Sequence, residues 1–213
     1  LFALVGTPYN LKCLWAPLID RVRLPLLSGI MGRRRSWMVL IQVGLMGSIV
    51  ALGVIDPVSR PEWTAFLAFA VAFFSASQDI VIDAYRIEIL DEDQQGAGAA
   101  MTQAGYRFGL LAAGAGALYL ASSIHWQIVY QFMAALGLIG LITTLFAPLP
   151  RANTPEEGTI DPEGGWFQAT LIAPFIEFFK RNTIGTAITI LVFILLYKFG
   201  DAFAGVMANP FYI

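Results

Sequence analysis

The sequence predicts an all-α, polytopic transmembrane helix bundle, and three observations support that prediction. Of the 213 residues, 57% are hydrophobic and only 13% are charged, whereas a soluble domain has roughly 25% charged residues. The apolar residues form long runs that match the length an α-helix needs to cross a bilayer, about 20 residues. These runs lack the alternation of apolar and polar residues that is typical of a β-barrel.

Six apolar segments qualify, or nearly qualify, as membrane spans. Pro148 and Pro150 end the fifth segment, and Pro210 follows the sixth. Because the chain starts at Leu1 inside an apolar run, and stops at Ile213 without a polar tail, we expect a fragment that lacks membrane segments at both ends. The predicted spans are residues 1–19, 36–55, 63–83, 98–121, 127–147 and 182–208.

The basic residues of the connecting segments are distributed very unevenly. Alternate connections carry nine of them on one side of the predicted bundle and only Arg60 on the other. Cytoplasmic loops of membrane proteins are enriched in Lys and Arg, so we assign the Arg-rich side to the cytoplasm. The first of these cytoplasmic loops alone contains Arg21, Arg23, Arg33, Arg34 and Arg35.

The connection between the fifth and sixth spans is long and has two parts. Residues 151–165 are rich in Pro, Glu, Gly and Thr and are typical of a flexible linker, whereas residues 166–179 are apolar but too short to span. We expect the second part to lie along the membrane surface. The predicted domains are therefore a first bundle (1–148), a cytoplasmic linker with an interfacial helix (149–181), and the first helix of a second bundle (182–213).

Charged residues inside the predicted spans are the strongest functional candidates, because ionisable groups are costly at membrane depth unless they are paired or hydrated. Asp79, Asp83 and Arg86 are spaced to lie along one stripe of a helix. At 1.5 Å per residue, Lys12 lies about 12 Å and Arg107 about 14 Å from the cytoplasmic ends of their spans. Asp79 lies about 6 Å deeper than Asp83. We therefore expect Lys12, Asp79 and Arg107 to share the inner half of one cavity, with Asp83 and Arg86 at the rim.

Each of these charges also has a structural interpretation that the sequence leaves open. Asp79 can simply neutralise Arg107, and Asp83 can bind Arg21 or Arg86. Lys198 and Asp201, three residues apart in the sixth span, can form a pair of their own.

Several other chemistries find no support in the sequence. The single cysteine, Cys13, and the single histidine, His125, provide neither a disulfide nor a Cys/His metal site. No phosphate-binding glycine loop is present, and the arginine cluster lacks the aromatic residues typical of a nucleic-acid surface. Asp79 and Asp83 are able in principle to hold Mg²⁺, although nearby arginines favour charge neutralisation. We therefore expect no metal and no cofactor.

Six motifs resemble those of the AmpG muropeptide permease family of the major facilitator superfamily. Asp20 and Arg21, followed by Gly32 and the three arginines, resemble the superfamily's signature G-x-x-x-D-R-x-G-R-R, with a longer spacing before Gly32 and with Trp15 or Ala16 in place of the first glycine. The motifs are residues 11–21 (LKCLWAPLIDR), 32–37 (GRRRSW), 75–84 (SASQDIVIDA), 96–100 (GAGAA), 105–109 (GYRFG) and 197–204 (YKFGDAFA).

This resemblance implies a proton-driven importer of GlcNAc-1,6-anhydro-MurNAc and its peptides in the bacterial inner membrane. The visible spans then correspond to helices 2–7 of a bundle of twelve or more, and we expect a monomer that binds protons, an amino-sugar or peptide substrate and the lipid bilayer. Asp79 is the first choice for the proton carrier and Asp201 the second. The expected substrate-binding residues are Tyr9, Lys12, Gln78, Gln103, Tyr106, Arg107 and Lys198. The expected gating or structural ion pairs involve Asp20, Arg21, Arg33, Arg34, Asp83 and Arg86.

Three alternatives remain. A related transporter of another solute is one, because acetyl-coenzyme A transporters share a run similar to Gln78, Asp79, Ile80 and Asp83. A polytopic membrane enzyme that uses Asp79 and Asp83 with a metal is the second, and a structural subunit without transport activity is the third.

Overall fold

The structure, a computed structural model, describes the backbone of residues 5–150 and 173–211. The predicted linker (151–165) and residues 166–172 lie outside these ranges. Side chains are not described at residues 21, 173–175, 177, 197–198 and 200–211. The chain divides into two compact units, Leu1–Thr154 and Pro155–Ile213.

Three helices of the first unit are long and apolar enough to cross a membrane. They are α4 (Arg33–Val54), α5 (Pro61–Ile89) and α8 (Trp126–Phe146). Helix α4 packs against both of the others and forms the centre of the unit. Gly44 and Gly137 lie at these crossings, where an added Cβ would come within 2.6 Å of Phe74 and 2.8 Å of Met46. Small residues let membrane helices approach closely, so these two glycines are required by the packing.

The first predicted span, residues 1–19, is not a single helix among the described residues. It consists of α1 (Thr7–Leu11), a 3₁₀ segment (Lys12–Leu14) and α2 (Ala16–Arg21). Prolines stand in the first turns of both α-helices, at Pro8 and Pro17. Because proline lacks an N–H donor and is favoured in a first turn, it restarts the helix at each of these points. The described part of the predicted span is therefore an irregular helical region that is interrupted between Lys12 and Trp15, and whether residues 1–19 cross the membrane stays a prediction.

A short α3 (Ser28–Met31) leads from α2 to α4, and Gly32 between them has a φ of 76°. Left-handed backbone is unfavourable for residues with a Cβ, and an added Cβ would also approach Leu149 to 2.9 Å. Gly32 thus allows the sharp entry into α4.

Helix α5 continues further than the sequence predicts. The predicted span stops at Asp83 and a loop begins at Tyr85, whereas the helix continues to Ile89. This placement of Tyr85 and Arg86 in a loop is wrong, since both belong to the last two turns of the helix. After a 3₁₀ turn (Glu92–Gln94), α6 (Gln95–Leu111), a π-helical segment (Ala112–Gly116) and α7 (Ala117–Ala121) form one continuous helical path.

The second unit contains α9 (Ala173–Arg181) and α10 (Ile184–Phe211). Asn182 closes the end of α9, because its backbone N–H and side-chain Nδ2 both donate to the Phe178 carbonyl oxygen, at 3.2 and 3.0 Å. The predicted stop at Pro210 lies one residue before the end of α10. Every element of the described residues is helical, in agreement with the predicted all-α class.

Candidate functional site

An ion pair lies at the break in the first helical region. Lys12 Nζ is 3.9 Å from Asp79 Oδ2, and the two side chains are 41% and 50% exposed. Lys12 begins the 3₁₀ segment between α1 and α2, while Asp79 lies two-thirds of the way along α5. The distance is at the upper limit for an ion pair, and neither group is enclosed. The pair is therefore accessible to a proton or an anionic ligand.

Two hydrogen bonds fasten the broken region to α5 on either side of this pair. Tyr9 Oη donates to Ser75 Oγ at 2.6 Å, and Trp15 Nε1 donates to Ser77 Oγ at 3.0 Å. The ring of Trp15 also packs on that of Phe73, with the ring centroids 5.0 Å apart. Lys12 and Asp79 are thus held opposite each other by neighbours, although their own contact is loose.

Gln78 lies directly beside the pair in the sequence. Its Oε1 is buried and has no hydrogen-bond partner. A buried acceptor without a donor costs free energy, and buried polar atoms are normally satisfied. Gln78 therefore has an unsatisfied acceptor one residue before Asp79, and its predicted role in substrate binding stays a prediction.

The predicted binding residues of α6 form a separate group. Gln103, Tyr106 and Arg107 are three and four residues apart and so lie on one side of the helix. All three are exposed, and no ion pair of Arg107 occurs within the described part of the chain. The alternative in which Asp79 neutralises Arg107 is wrong, because the partner of Asp79 is Lys12.

The last two predicted site residues cannot be placed. Lys198 and Asp201 belong to α10, but their side chains lie outside the described residues. Their predicted pairing and their predicted roles stay predictions.

A network of charges around the buried Arg34 side chain joins α2, α4 and α5 at the other predicted site. Arg34, whose side chain is 10% exposed, donates from Nη1 to Asp20 Oδ1 and from Nε to Glu88 Oε1, the latter at 2.7 Å. Arg33 Nη2 lies 3.9 Å from the same Glu88 oxygen. Hydrogen bonds between charged partners are short and strong. The network therefore connects the end of α2, the start of α4 and the end of α5.

Asp83 and Arg86 form a weaker pair one to two turns before this network. Arg86 Nη2 is 3.5 Å from Asp83 Oδ1, and Arg86 Nη1 is 3.5 Å from the Gln95 carbonyl oxygen. Of the two alternatives for Asp83, the described contacts favour Arg86; the side chain of Arg21 lies outside the described residues.

Sequence reasoning missed Glu88, which accepts from Arg34 and lies near Arg33. The sequence did contain evidence for this role. Glu88 is an acidic residue close after an apolar run, and its charge is opposite to that of the Arg-rich loop. The predicted span ended at Asp83, so Glu88 was placed in a connection and not on a helix. Its position on the helix face that contacts Arg34 was therefore not predicted.

The carbonyl oxygens at and just after the end of α8 accept hydrogen bonds that the sequence did not predict. Arg35 Nε donates to the Thr144 carbonyl oxygen at 3.1 Å, and Arg35 Nη2 donates to that of Leu145. Tyr85 Oη donates to the Pro148 carbonyl oxygen at 2.6 Å. The last carbonyls of a helix lack partners within the helix and attract cations, so Arg35 stabilises the end of α8.

No group of three or more His, Cys, Asp or Glu side chains able to hold a metal ion occurs in the described part of the chain. Asp79 is paired with Lys12, and Asp83 with Arg86. The contacts of these two carboxylates are therefore with cations of the protein itself.

The model of the Major Facilitator Superfamily matches residues 11–212, and the chain belongs to this family of membrane transporters. This membership confirms the predicted fold class and the prediction that the protein is not an enzyme. It also identifies a multi-pass membrane protein, in agreement with the three long apolar helices.

Two relatives illustrate the similarity. The chain is 42% identical over 213 residues to the anhydromuropeptide permease of Escherichia coli K12, covering 100% of this chain and 40% of the relative. It is 41% identical over 207 residues to an uncharacterized protein of Haemophilus influenzae, covering 97% of this chain and 47% of that relative. The resemblance to the AmpG permeases predicted from the motifs is thereby confirmed. The chain spans less than half the length of these two relatives.

Proposed function

We propose that this chain is part of a proton-driven importer that carries cell-wall-derived muropeptides, GlcNAc-1,6-anhydro-MurNAc and its peptides, across the bacterial inner membrane. The accessible ion pair between Lys12 and Asp79, 3.9 Å apart, is the observation that carries the mechanism. The substrate class is supported by 42% identity over the whole chain to an anhydromuropeptide permease.

In this proposal Asp79 carries the proton. When Asp79 is ionised it holds Lys12, and when it is protonated it loses its negative charge and releases the ammonium group. The released Lys12 then binds a carboxylate of the substrate, because an ammonium without its counter-ion is unfavourable at membrane depth. Proton binding and substrate binding thus favour each other at one site. Asp201 is the second candidate for the proton carrier.

The rest of the substrate is recognised by the other predicted binding residues. Tyr9, which is 44% exposed and lies three residues before Lys12, provides a hydroxyl group, and Gln78 provides an amide one residue before Asp79. Gln103, Tyr106 and Arg107 on α6 bind hydroxyl and carboxylate groups of the substrate. Lys198 is a further predicted binding residue. Sugars with many hydroxyl groups and peptides with free carboxylates require this mixture of partners.

The network of Asp20, Arg33, Arg34 and Glu88 acts as the cytoplasmic gate, together with Arg21 and the pair of Asp83 and Arg86. It joins three helical elements at one end of the first unit, so its opening or closing changes access from the cytoplasm. Residues 1–148 are the first bundle, 149–181 the connecting segment, and 182–213 the start of the second bundle. The protein functions as a monomer in the lipid bilayer and needs no cofactor.

The test is uptake of labelled anhydro-muropeptide into vesicles that contain the full-length transporter and carry an imposed pH gradient. We expect gradient-driven uptake by the parent and its loss in Asp79→Asn, with Glu62→Gln, at an exposed carboxylate in the first turn of the same helix, as the control that retains it. Uptake that ignores the gradient, or an Asp79→Asn variant with full activity, contradicts the proton role. If an acyl-coenzyme A reduces the labelled uptake but unlabelled muropeptide does not, the proposed substrate class is wrong.

A further inference from the structure

The loop between α2 and α4 has an unusual composition for a connection on the Arg-rich side. Between Val22 and Gly32 it contains six large apolar residues and only one charge, Arg23. A connection that faces water is normally rich in polar residues, Gly and Pro. This composition requires an apolar environment for at least part of the loop.

The backbone of the loop is fixed by hydrogen bonds. Ser28 N–H donates to the Leu24 carbonyl oxygen at 3.0 Å, and Gly32 N–H donates to that of Ser28 at 3.1 Å. At the start of the loop, Trp37 Nε1 donates to the Val22 carbonyl oxygen at 2.8 Å. The loop is therefore a defined structure of about two helical turns.

Two large apolar side chains point away from the protein on this fixed backbone. Leu26 is 90% exposed and Ile30 is 83% exposed, whereas Leu24, Leu27 and Met31 are partly buried. A spacing of four residues on a helical turn places Leu26 and Ile30 on the same side. We call Leu26 and Ile30 the apolar pair.

The charges around the apolar pair indicate its partner. Arg23 precedes the pair, and Arg33, Arg34 and Arg35 follow it at the start of α4. Anionic lipids of the cytoplasmic leaflet attract basic residues next to membrane helices, and apolar side chains beside basic ones are typical of segments that bind in the interfacial region. An apolar pair between two groups of arginines at the ends of membrane segments matches that region in both polarity and charge.

We propose that the apolar pair inserts into the cytoplasmic leaflet and that the net positive charge of the flanking segments attracts it to anionic lipids. The insertion fixes the depth of the loop, and with it the position of the network of Asp20, Arg34 and Glu88 at the membrane surface. The inference depends on the chain spanning a membrane and is independent of the substrate. Failure of muropeptide transport therefore leaves it intact.

Spin labels in the full-length transporter test this inference. The label is placed by Leu26→Cys or Ile30→Cys in a background without other cysteines, which requires Cys13→Ser, and the protein is reconstituted in vesicles of phosphatidylethanolamine and phosphatidylglycerol. Oxygen concentrates in the acyl region and a nickel chelate in water, so their collision rates with the label report its environment. Leu27→Cys, on the partly buried side of the same loop, is the matched control.

We expect high oxygen and low nickel accessibility at positions 26 and 30, and low accessibility to both reagents at position 27. In vesicles of neutral phosphatidylcholine we expect the ratio of oxygen to nickel accessibility at positions 26 and 30 to fall, because the electrostatic attraction is removed. High nickel accessibility at positions 26 and 30 shows a hydrated loop and overturns the inference. Low accessibility to both reagents there shows a protein contact, with another part of the transporter or a second copy, and also overturns it. An unchanged ratio in neutral vesicles contradicts the role of the arginines.

Discussion

The two charged sites of the first unit use the same kind of interaction in opposite ways. At the network, the Arg34 side chain is 10% exposed and is bonded to carboxylates on two other helices. At the pair of Lys12 and Asp79, both side chains are about half exposed and 3.9 Å apart. Removal of one partner from a buried ion pair leaves an uncompensated charge, whereas exposed pairs contribute little to stability. We therefore expect the network to stabilise the structure and the pair to perform the transport.

The largest stability effect is expected for Arg34→Ala. The substitution leaves Asp20 and Glu88 without their buried cation, and the free energy of unfolding should fall by about 3–5 kcal/mol. Thermal unfolding of the purified transporter in detergent measures the change. Arg60→Ala, which removes an exposed arginine from the connection between α4 and α5, is the control and should change the stability by less than about 0.5 kcal/mol. Equal effects of the two substitutions would show that the network is not structural.

Glu88→Gln and Asp83→Asn compare the network with its weaker neighbour. Glu88 accepts from Arg34 at 2.7 Å and its side chain is 22% exposed, whereas Asp83 lies 3.5 Å from Arg86 and is 54% exposed. Loss of a hydrogen bond to a charged group costs about 1.5–3 kcal/mol, and loss of an exposed ion pair costs about 0–1 kcal/mol. The same thermal measurement should therefore show a clearly larger loss of stability for Glu88→Gln than for Asp83→Asn. The reverse order would refute the assignment of Glu88 to the network.

Lys12→Gln should separate stability from transport. Because Lys12 is half exposed, the free energy of unfolding should change by about 1 kcal/mol or less. Substrate uptake should nevertheless fall by at least about tenfold, since a carboxylate of the substrate loses a charged partner, an interaction that contributes roughly 1.5–3 kcal/mol. Uptake and thermal unfolding of the same preparation provide the two measurements. A variant that unfolds easily but still transports would reverse the roles of the two sites.

The smallest effect on transport is expected for Tyr9→Phe. The substitution removes one hydrogen bond, to Ser75 Oγ, and should reduce the stability by about 0.5–1.5 kcal/mol. If Tyr9 also contacts substrate, the apparent substrate affinity should fall while the maximal rate is retained. Trp15→Phe, which removes the bond to Ser77 but keeps an aromatic ring on Phe73, is the matched control and should leave the affinity unchanged.

The fold could be predicted from the sequence because it depends on the length and composition of apolar runs. Helix α8, predicted as 127–147 and observed as Trp126–Phe146, is an example. The break at Lys12 could not be predicted in the same way, because hydropathy does not distinguish a continuous helix from one that restarts at Pro8 and Pro17. The extension of α5 to Ile89 was missed because its last turns contain Arg86 and Glu88. Arg86 is paired with Asp83 in the same helix, and Glu88 is paired with Arg34 of α4.

The candidate site was predictable in part. The common level of Lys12 and Asp79 follows from the helical rise and the order of the spans, and the structure brings these two residues together. The choice of Lys12 over Arg107 as the partner of Asp79 depends on how the helices pack, which the sequence does not contain. The three arginines at the start of α4 oppose its dipole, and this local conflict is resolved only by Asp20, Glu88 and the end of α8.

The central claim is that Asp79 carries the proton that accompanies the substrate. Its most direct test is the pH change inside vesicles, reported by a trapped dye, when anhydro-muropeptide is added outside to the full-length transporter. We predict acidification of the interior with the parent and none with Asp79→Asn, while Asp79→Asn still exchanges labelled for unlabelled substrate. Substrate-dependent acidification that persists in Asp79→Asn would contradict the account.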